Sequence, residues 1–446
     1  MDNAPAYRPP TAAGGMRRVL ANSGLLIGGK SVSGLLGLGY LALAVRTLGV
    51  ETFGSLIIIH TVIETAQALV KFQSWQPILH YGTAALHDGR LDDLRRLVAF
   101  TARLDAGSAV AGAAGAAATL WFFGAGLGLP AEVLPAATLY AGSLLFMITS
   151  TPAGLLRLFD RFNLAVLEDN VEAAVRLLGG VALYLTGGGL GAFLVLWAVS
   201  AAAGALTSVG LAWREARRCG LGWRRSDKRP LTDGFDGIWR FVLSTNANSS
   251  LALLTNQLAT LTVGMLIGPA QAALFRIARQ VAEAVSKPVK LMATAIYPEF
   301  ARLVARDLLG AMRDFLWRAL RLSAVGAGVC ALALYLAGPW LLALIGGPQV
   351  VSAFPAMLLL GLAAQIGVGT FALEPALISI GRATLALRIR LIAAVLYLPA
   401  LVVLVSRAGI EGAGIAAVGA AAAIALMQSL SVLACFRARP HPGVGD

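Results

Sequence analysis

GVETFGSLIIIHTVIETAQALVK (49–71) and GPAQAALFRIARQVAEAVSKPVK (268–290) decide how this chain is read. Each opens on a glycine, runs into an apolar helix, and carries ionisable residues at matching places. His60, Glu64 and Lys71 in the first correspond to Arg279, Glu283 and Lys290 in the second, each 219 positions later. Ionisable groups at bilayer depth cost about 2.5–3.5 kcal/mol apiece on insertion scales, so they face a cavity or a partner. Such a set recurring once in each half predicts a duplicated membrane chain with a polar interior.

The rest of the composition agrees. Of 446 residues, 58% are hydrophobic and only 13% are charged, with a mean hydropathy of +0.76. Soluble domains carry charge on about a quarter of their residues. The formal charge of +13 does not point to nucleic acid. Lys and Arg concentrate in alternate loops and tails, and only Arg46 and Arg407 fall on the opposite side, which is the positive-inside bias. Cys219, Cys330 and Cys435 show no CxxC spacing, and the four histidines form no metal pattern with them. No metal and no cofactor are expected. Residues 1–18 are polar and lead into a full-length span, so no cleavable signal peptide is expected.

A span needs about 20 mostly apolar residues. Twelve are predicted, at 19–45, 54–75, 97–123, 131–156, 164–186, 189–213, 238–267, 270–297, 315–337, 351–379, 384–405 and 409–435. An even count with this charge bias predicts cytoplasmic termini (1–18 and 437–446). The basic connection 214–237, with seven Lys or Arg from Arg214 to Arg229, separates six-helix bundles over 19–213 and 238–436. It reads as a solvated linker beside anionic lipid. Gly191-Ala192 also aligns with Gly412-Ala413, and Arg161 with Arg382, at an offset of 221. Halves with an even span number are parallel repeats, with substrate expected between them. The fold class is therefore an all-α polytopic membrane protein with two six-helix repeats around a central cavity.

The candidate residues lie on a few spans. Arg276, Arg279, Glu283, Lys287 and Lys290 form one stripe, on a cavity wall or a partly interfacial helix. His60, Glu64, Gln67, Lys71 and Ser74 form a weaker one; Lys71 is either a cavity cation or a side chain that snorkels to the cytoplasmic face. Lys30 sits about three turns into the first span. Asn246, Asn248, Asn256 and Gln257 line a cavity or hydrogen-bond between helices. Glu172 and Arg176, four apart, form a local pair. Glu374 precedes Pro375, where a kink is expected; Glu64, Glu283 and Glu374 are candidates for ion coupling or pairing. The deep cations Lys30, Lys71, Arg276, Arg279, Lys287 and Lys290 favour an anionic substrate such as a phosphate or diphosphate, which Arg binds bidentately. No GxxxxGK[ST] loop is present for ATP hydrolysis. The outward loops are short and no DxD motif occurs, so no catalytic residues and no enzyme activity are expected.

The segments RTLGVETFGS (46–55) and GPAQAALFRIARQVAEAVSKPVKLMATAIYPEFARL (268–303) resemble the polysaccharide flippases, the Wzx-type polysaccharide biosynthesis protein family. These belong to the multidrug/oligosaccharidyl-lipid/polysaccharide (MOP) exporter superfamily. The resemblance implies a MATE-like pair of bundles in the bacterial inner membrane, working by alternating access. It implies transfer of undecaprenyl-diphosphate-linked oligosaccharide from the inner to the outer leaflet. Its implied partners are the polyprenyl-linked glycan, membrane lipid and the glycan polymerase or export machinery. Lys30, Lys71, Arg279 and Lys290 match the family's cavity cations by span and character. The rival reading is a MATE-like multidrug or cation antiporter, or another lipid exporter; a strongly cationic lumen suits cationic drugs poorly.

Overall fold

Helices follow one another from end to end in the structure, a computed structural model that describes residues 12–147, 149–222, 229–284, 309–380 and 382–438. Within these, the side chains of residues 12–27, 244, 247–256, 309, 383 and 437–438 lie outside the description. No strand occurs among the described residues.

Helix α1 covers Ala12–Val70 and is broken at Gly49 into two arms. Then come α2 (Trp75–His87), α3 (Leu91–Phe123), α4 (Leu134–Tyr140), α5 (Leu144–Met147), α6 (Ser150–Leu158), α7 (Phe162–Ala165), α8 (Leu167–Thr186) and α9 (Leu190–Arg218). After the basic connection come α10 (Ile238–Ile267) and a helix over 269–284, here α11. The chain ends with α12 (Leu309–Gly346), α13 (Pro348–Val351), α14 (Phe354–Gly369), α15 (Leu373–Ser379) and α16 (Ala383–Ala438), the last broken at Ala408–Gly409.

Seven stretches among the described residues are long and apolar enough to cross a membrane. Two of them, Gly28–His87 and Thr384–Phe436, are far longer than one crossing needs, and each contains a glycine break. Counting those two twice and adding α8, α10 and α11 recovers the twelve expected segments in chain order. Exposed apolar side chains are the rule on these helices: Phe122 is 75% and Leu139 82% exposed. In a membrane chain this is the face that lipid covers.

The duplication is written into the backbone. Gly49 has φ 74° and its counterpart Gly268 has φ 94°, a region that a Cβ would strain, so each ends one helix and starts the next. Gly128 and Gly347, again 219 apart, have φ 78° and 74°. Gly187 and Gly409 close the series with φ 70° and 58°.

Two expected spans are interrupted rather than continuous. The fourth breaks between α5 and α6, at Thr149 (φ −119°, ψ 26°). The tenth breaks between α14 and α15, at Thr370 (φ −112°, ψ 9°). The two threonines are 221 apart, the offset of the Arg161–Arg382 pair. Pro152 is the third residue of α6 and Pro375 the third of α15. Neither has an N–H to carry a helix through from the preceding turn, so the break falls just before each. The helix ends at Val70 in the second expected span, four residues before α2 starts.

The chain divides into two compact units, Met1–Leu258 and Ala259–Asp446. The start of α10, beyond the expected linker, packs into the first unit. Ile238 and Val242 join a buried cluster with Ile78, Leu97, Phe100 and Leu156. Phe241 stacks on His80 at 4.9 Å between ring centroids, and Trp239 meets Phe100 edge-on at 5.2 Å. In the second unit, α14 packs on both α12 and α16, and Met312, Leu373, Leu377, Ile389 and Val432 share a core.

Candidate functional site

The polar stripe on the second arm of α1 turns into the first unit. His60 lies ten residues past Val50, about 15 Å along the helix and so about half the depth of a hydrocarbon core. Its Nδ1 is 2.9 Å from the Tyr140 hydroxyl on α4, and its Nε2 is 3.6 Å from Glu64. The Trp197 ring of α9 meets the imidazole edge-on at 4.2 Å, and the Trp197 indole N–H donates to the Tyr40 hydroxyl on the first arm of α1. Gly180 of α8 makes room for Tyr40: a Cβ there would fall 2.8 Å from the ring.

Arg176 of α8 extends this cluster. Its guanidinium lies over the Trp197 ring at 4.9 Å, pairs with Glu172 at 2.5 Å and donates to the Ser200 hydroxyl at 3.3 Å. The expected Glu172–Arg176 pair is thus present, inside the bundle. Gly204 of α9 allows the approach, since a Cβ would meet the Glu172 side chain at 3.3 Å.

One to two turns further along, the stripe meets the break in the fourth span. The Met147 carbonyl has lost its helical partner there. It accepts from Gln67 Nε2 at 2.7 Å and from Lys71 Nζ at 3.4 Å. Glu168, Asp105, Asp169 and Glu172 lie within electrostatic range of the Lys71 ammonium. Asp105 of α3 plugs the other side of the break. It accepts from the Thr151 N–H at 2.8 Å, the Thr151 hydroxyl at 2.7 Å and the Ser74 hydroxyl at 2.5 Å. The Thr149 hydroxyl donates to Glu168. Buried carboxylates need this much hydrogen bonding to persist away from water.

The second unit presents its stripe differently. Arg279 pairs along its own helix with Glu283 at 2.9 Å, the arginine 14% and the glutamate 42% exposed. Arg276 is half-buried on the same helix. Lys287 and Lys290 lie outside the described residues. Glu374 pairs with Arg390 of α16 at 2.7 Å. At the break in the tenth span the Ser323 hydroxyl of α12 is shared between the Leu320 carbonyl at 3.0 Å and the Gly369 carbonyl at 3.2 Å.

Of the remaining candidates, Lys30 is exposed on the first arm of α1, with its carbonyl accepting from Ser33. Asn246 and Gln257 are half-buried on α10, and Gln257 Oε1 is a buried acceptor with no hydrogen-bond partner among the described residues. The side chains of Asn248 and Asn256 lie outside the description. The structure therefore brings together Glu64 and Lys71 in one interior, and Arg279 with Glu283 in the other. Sequence reading missed Tyr40, Tyr140 and Trp197, which look like ordinary apolar-face aromatics, and Asp105, the plug of a break.

A histidine, a carboxylate and a phenol in contact at mid-bilayer can exchange a proton. No group of three or more His, Cys, Asp or Glu suited to a metal ion occurs among the described residues.

Known proteins place the fold. The chain is 33% identical over 351 residues to inner membrane protein YghQ of Escherichia coli (strain K12), covering 77% of this chain and 96% of that one. Its structure is similar to an inward-facing multidrug resistance MATE family transporter of the MOP superfamily, with a TM-score of 0.71, 14% identity and 93% and 96% of the two chains covered. It is also similar to the lipid II flippase MurJ in an inward closed conformation, with a TM-score of 0.68, 11% identity and 92% and 87% covered. At these identities the two likenesses establish a common polytopic all-α fold. Residues 19–304 match the family described as polysaccharide biosynthesis protein. With that match over more than half its length, the chain belongs to the polysaccharide biosynthesis protein family.

Proposed function

We propose that the protein is a flippase that carries a polyprenyl-diphosphate-linked oligosaccharide from the inner to the outer leaflet of the bacterial inner membrane by alternating access. Membership of the polysaccharide biosynthesis family, on a fold shared with a lipid flippase, carries the proposal. The glycan is the repeat unit of an O-antigen, capsule or exopolysaccharide, and the lipid carrier is undecaprenyl diphosphate. Both termini face the cytoplasm, and the halves are six-helix bundles joined by the basic stretch 214–237.

In this reading Arg276, Arg279, Lys287 and Lys290, with Lys30 and Lys71, provide positive charge for the diphosphate. Arg279 is the cation best placed to act, because its partner Glu283 is half in the open and can be exchanged for a substrate oxyanion. Lys71 acts from behind, tied to the Met147 carbonyl. The polyprenyl tail stays in lipid while the sugars cross in a hydrated lumen. Glu64, paired with His60, is the candidate for a coupling ion.

The test compares the lipid-linked glycan in cells with and without the protein, in whole cells and in inverted vesicles. Trapping of the precursor on the cytoplasmic leaflet, with loss of surface glycan, is the expected result. The likeness to multidrug transporters favours a second reading, drug or cation antiport. That reading predicts drug sensitivity on deletion with surface glycan unchanged.

A further inference from the structure

A cleft of about 990 Å³ opens in the first unit, away from the His60–Trp197 cluster. Its walls are the Arg95–Ala109 face of α3 and the Val209–Ala216 face of α9, its floor is Leu145, Thr151, Pro152 and Leu155, and residues 221–222 and 229–231 of the basic connection edge it. The wall positions on α9 (Val209, Ala212, Trp213 and Ala216) follow helical spacing, so two helices present apolar faces across a gap that no described helix fills. The gap runs about 21 Å along α3, from Arg95 to Ala109.

The charges in it are all of one kind except for Asp105, which is already occupied by Ser74 and Thr151. Arg103 is exposed and has no hydrogen bond or ion pair among the described residues. Its depth can be counted. Trp121, Phe122 and Phe123 are 57%, 75% and 68% exposed and mark the outer interface at the far end of α3. About twenty residues back, one hydrocarbon thickness, lies Arg103. It is therefore level with the lipid phosphates of the inner leaflet. Arg95 stands nearer the lip, anchored to Asp92 at 2.5 Å and to the Gly220 carbonyl at 2.8 Å, with its Nε buried and without a partner.

An interfacial Arg103 alone would need no ligand, since long cations reach the headgroups unaided. The cleft beside it is what changes the reading: an apolar slot that continues inward from Arg103, a cation unpaired among the described residues, at phosphate level. We propose that it holds an anionic glycerophospholipid of the inner leaflet, one acyl chain between α3 and α9 and the phosphate on Arg103 and Arg95. Basic pockets between helices on the cytoplasmic side take such headgroups. The transported glycan does not fit, because besides the arginines the walls and floor offer only Asp105 and Thr151, which bond to each other, and the single indole N–H of Trp213. The inference rests on the membrane fold alone and is independent of what the protein carries.

The experiment uses the full-length protein in detergent, with lipid retention read by native mass spectrometry. The probes are phosphatidylglycerol, phosphatidylcholine and a polyprenyl phosphate. Phosphatidylglycerol should be retained in preference to phosphatidylcholine, and Arg103→Gln should lower that preference about fivefold. Ala102→Phe on α3 and Val209→Phe on α9 fill the cleft from opposite walls at exposed positions, so at least one should fold, and either should abolish retention. Equal retention of the two phospholipids, or retention unchanged by a folded cleft-filling variant, would overturn the proposal. Displacement of phosphatidylglycerol by polyprenyl phosphate would also overturn it, and would assign the cleft to the carrier lipid instead.

Discussion

The second arm of α1 and helix α11 hold equivalent places in the two halves, yet their charges are satisfied in different ways. On α1 the stripe is tied across the bundle: His60 to Tyr140, Gln67 and Lys71 to the Met147 carbonyl, Ser74 to Asp105. On α11 Arg279 pairs with Glu283 along its own helix and lies within electrostatic range of Tyr397 on α16. The breaks in the fourth and tenth spans show the same divergence. Thr149 and Thr370 have nearly the same backbone angles, but an aspartate plugs the first break and a serine the second. Duplication preserved the backbone, and the side chains that close it were specialised. The break in the first unit is closed by a carboxylate, that in the second by a hydroxyl.

The largest expected effect is at Asp105. Asp105→Ala strands three donors in the interior, each at about 1–3 kcal/mol. Ser323→Ala, the counterpart at the other break, removes one donor and costs about 1 kcal/mol. Thermal unfolding of both variants in detergent should show the Asp105 variant falling much further. Equal losses would erase the proposed difference between the units.

Arg279→Ala and Lys71→Ala sharpen it next. Arg279→Ala should cut transport about tenfold or more, as loss of a charge-assisted contact to an oxyanion predicts, with protein level near wild type. Lys71→Ala should lower stability and transport together, because Lys71 also caps a broken helix. Full transport by Arg279→Ala would remove the central cation from the mechanism. A smaller loss, about 1 kcal/mol, is expected for Tyr140→Phe, which takes one hydrogen bond from His60 and leaves the ring in place.

The smallest effect is expected at the turn between α2 and α3, outside the spans. There hydrogen bonds from Arg90 and His87 hold the Asp88 carboxyl below the ordinary aspartate range. A lowered folded-state pKa stabilises above the unfolded value, and that contribution is lost as pH falls through the folded one. Asp88 is exposed, so the contribution is small: Asp88→Asn should lower the melting temperature only slightly at neutral pH, and the difference from wild type should vanish under acid.

The helices and the repeat were legible because hydropathy and glycine act locally. Gly49 and Gly268 announce their turns without any tertiary knowledge. The stripe from His60 to Ser74 was visible as a polar face for the same reason. Its partners were not, since Tyr140 and Trp197 carry no local mark of a buried bond. Pro152 was an available signal for the break in the fourth span, passed over because the apolar run around it is long enough for an unbroken crossing. The division of the chain was also a tertiary matter: Phe241 and Trp239 follow the basic connection in sequence but pack on His80 and Phe100 of the first unit.

The most direct test of the transport claim is the leaflet distribution of the lipid-linked glycan in cells whose only copy of the protein is wild type, Arg279→Ala, or absent. The account predicts precursor reaching the outer leaflet with the wild-type protein, and precursor trapped on the cytoplasmic leaflet both with the variant and without the protein. An outer-leaflet pool that is the same with the protein present and absent would contradict it.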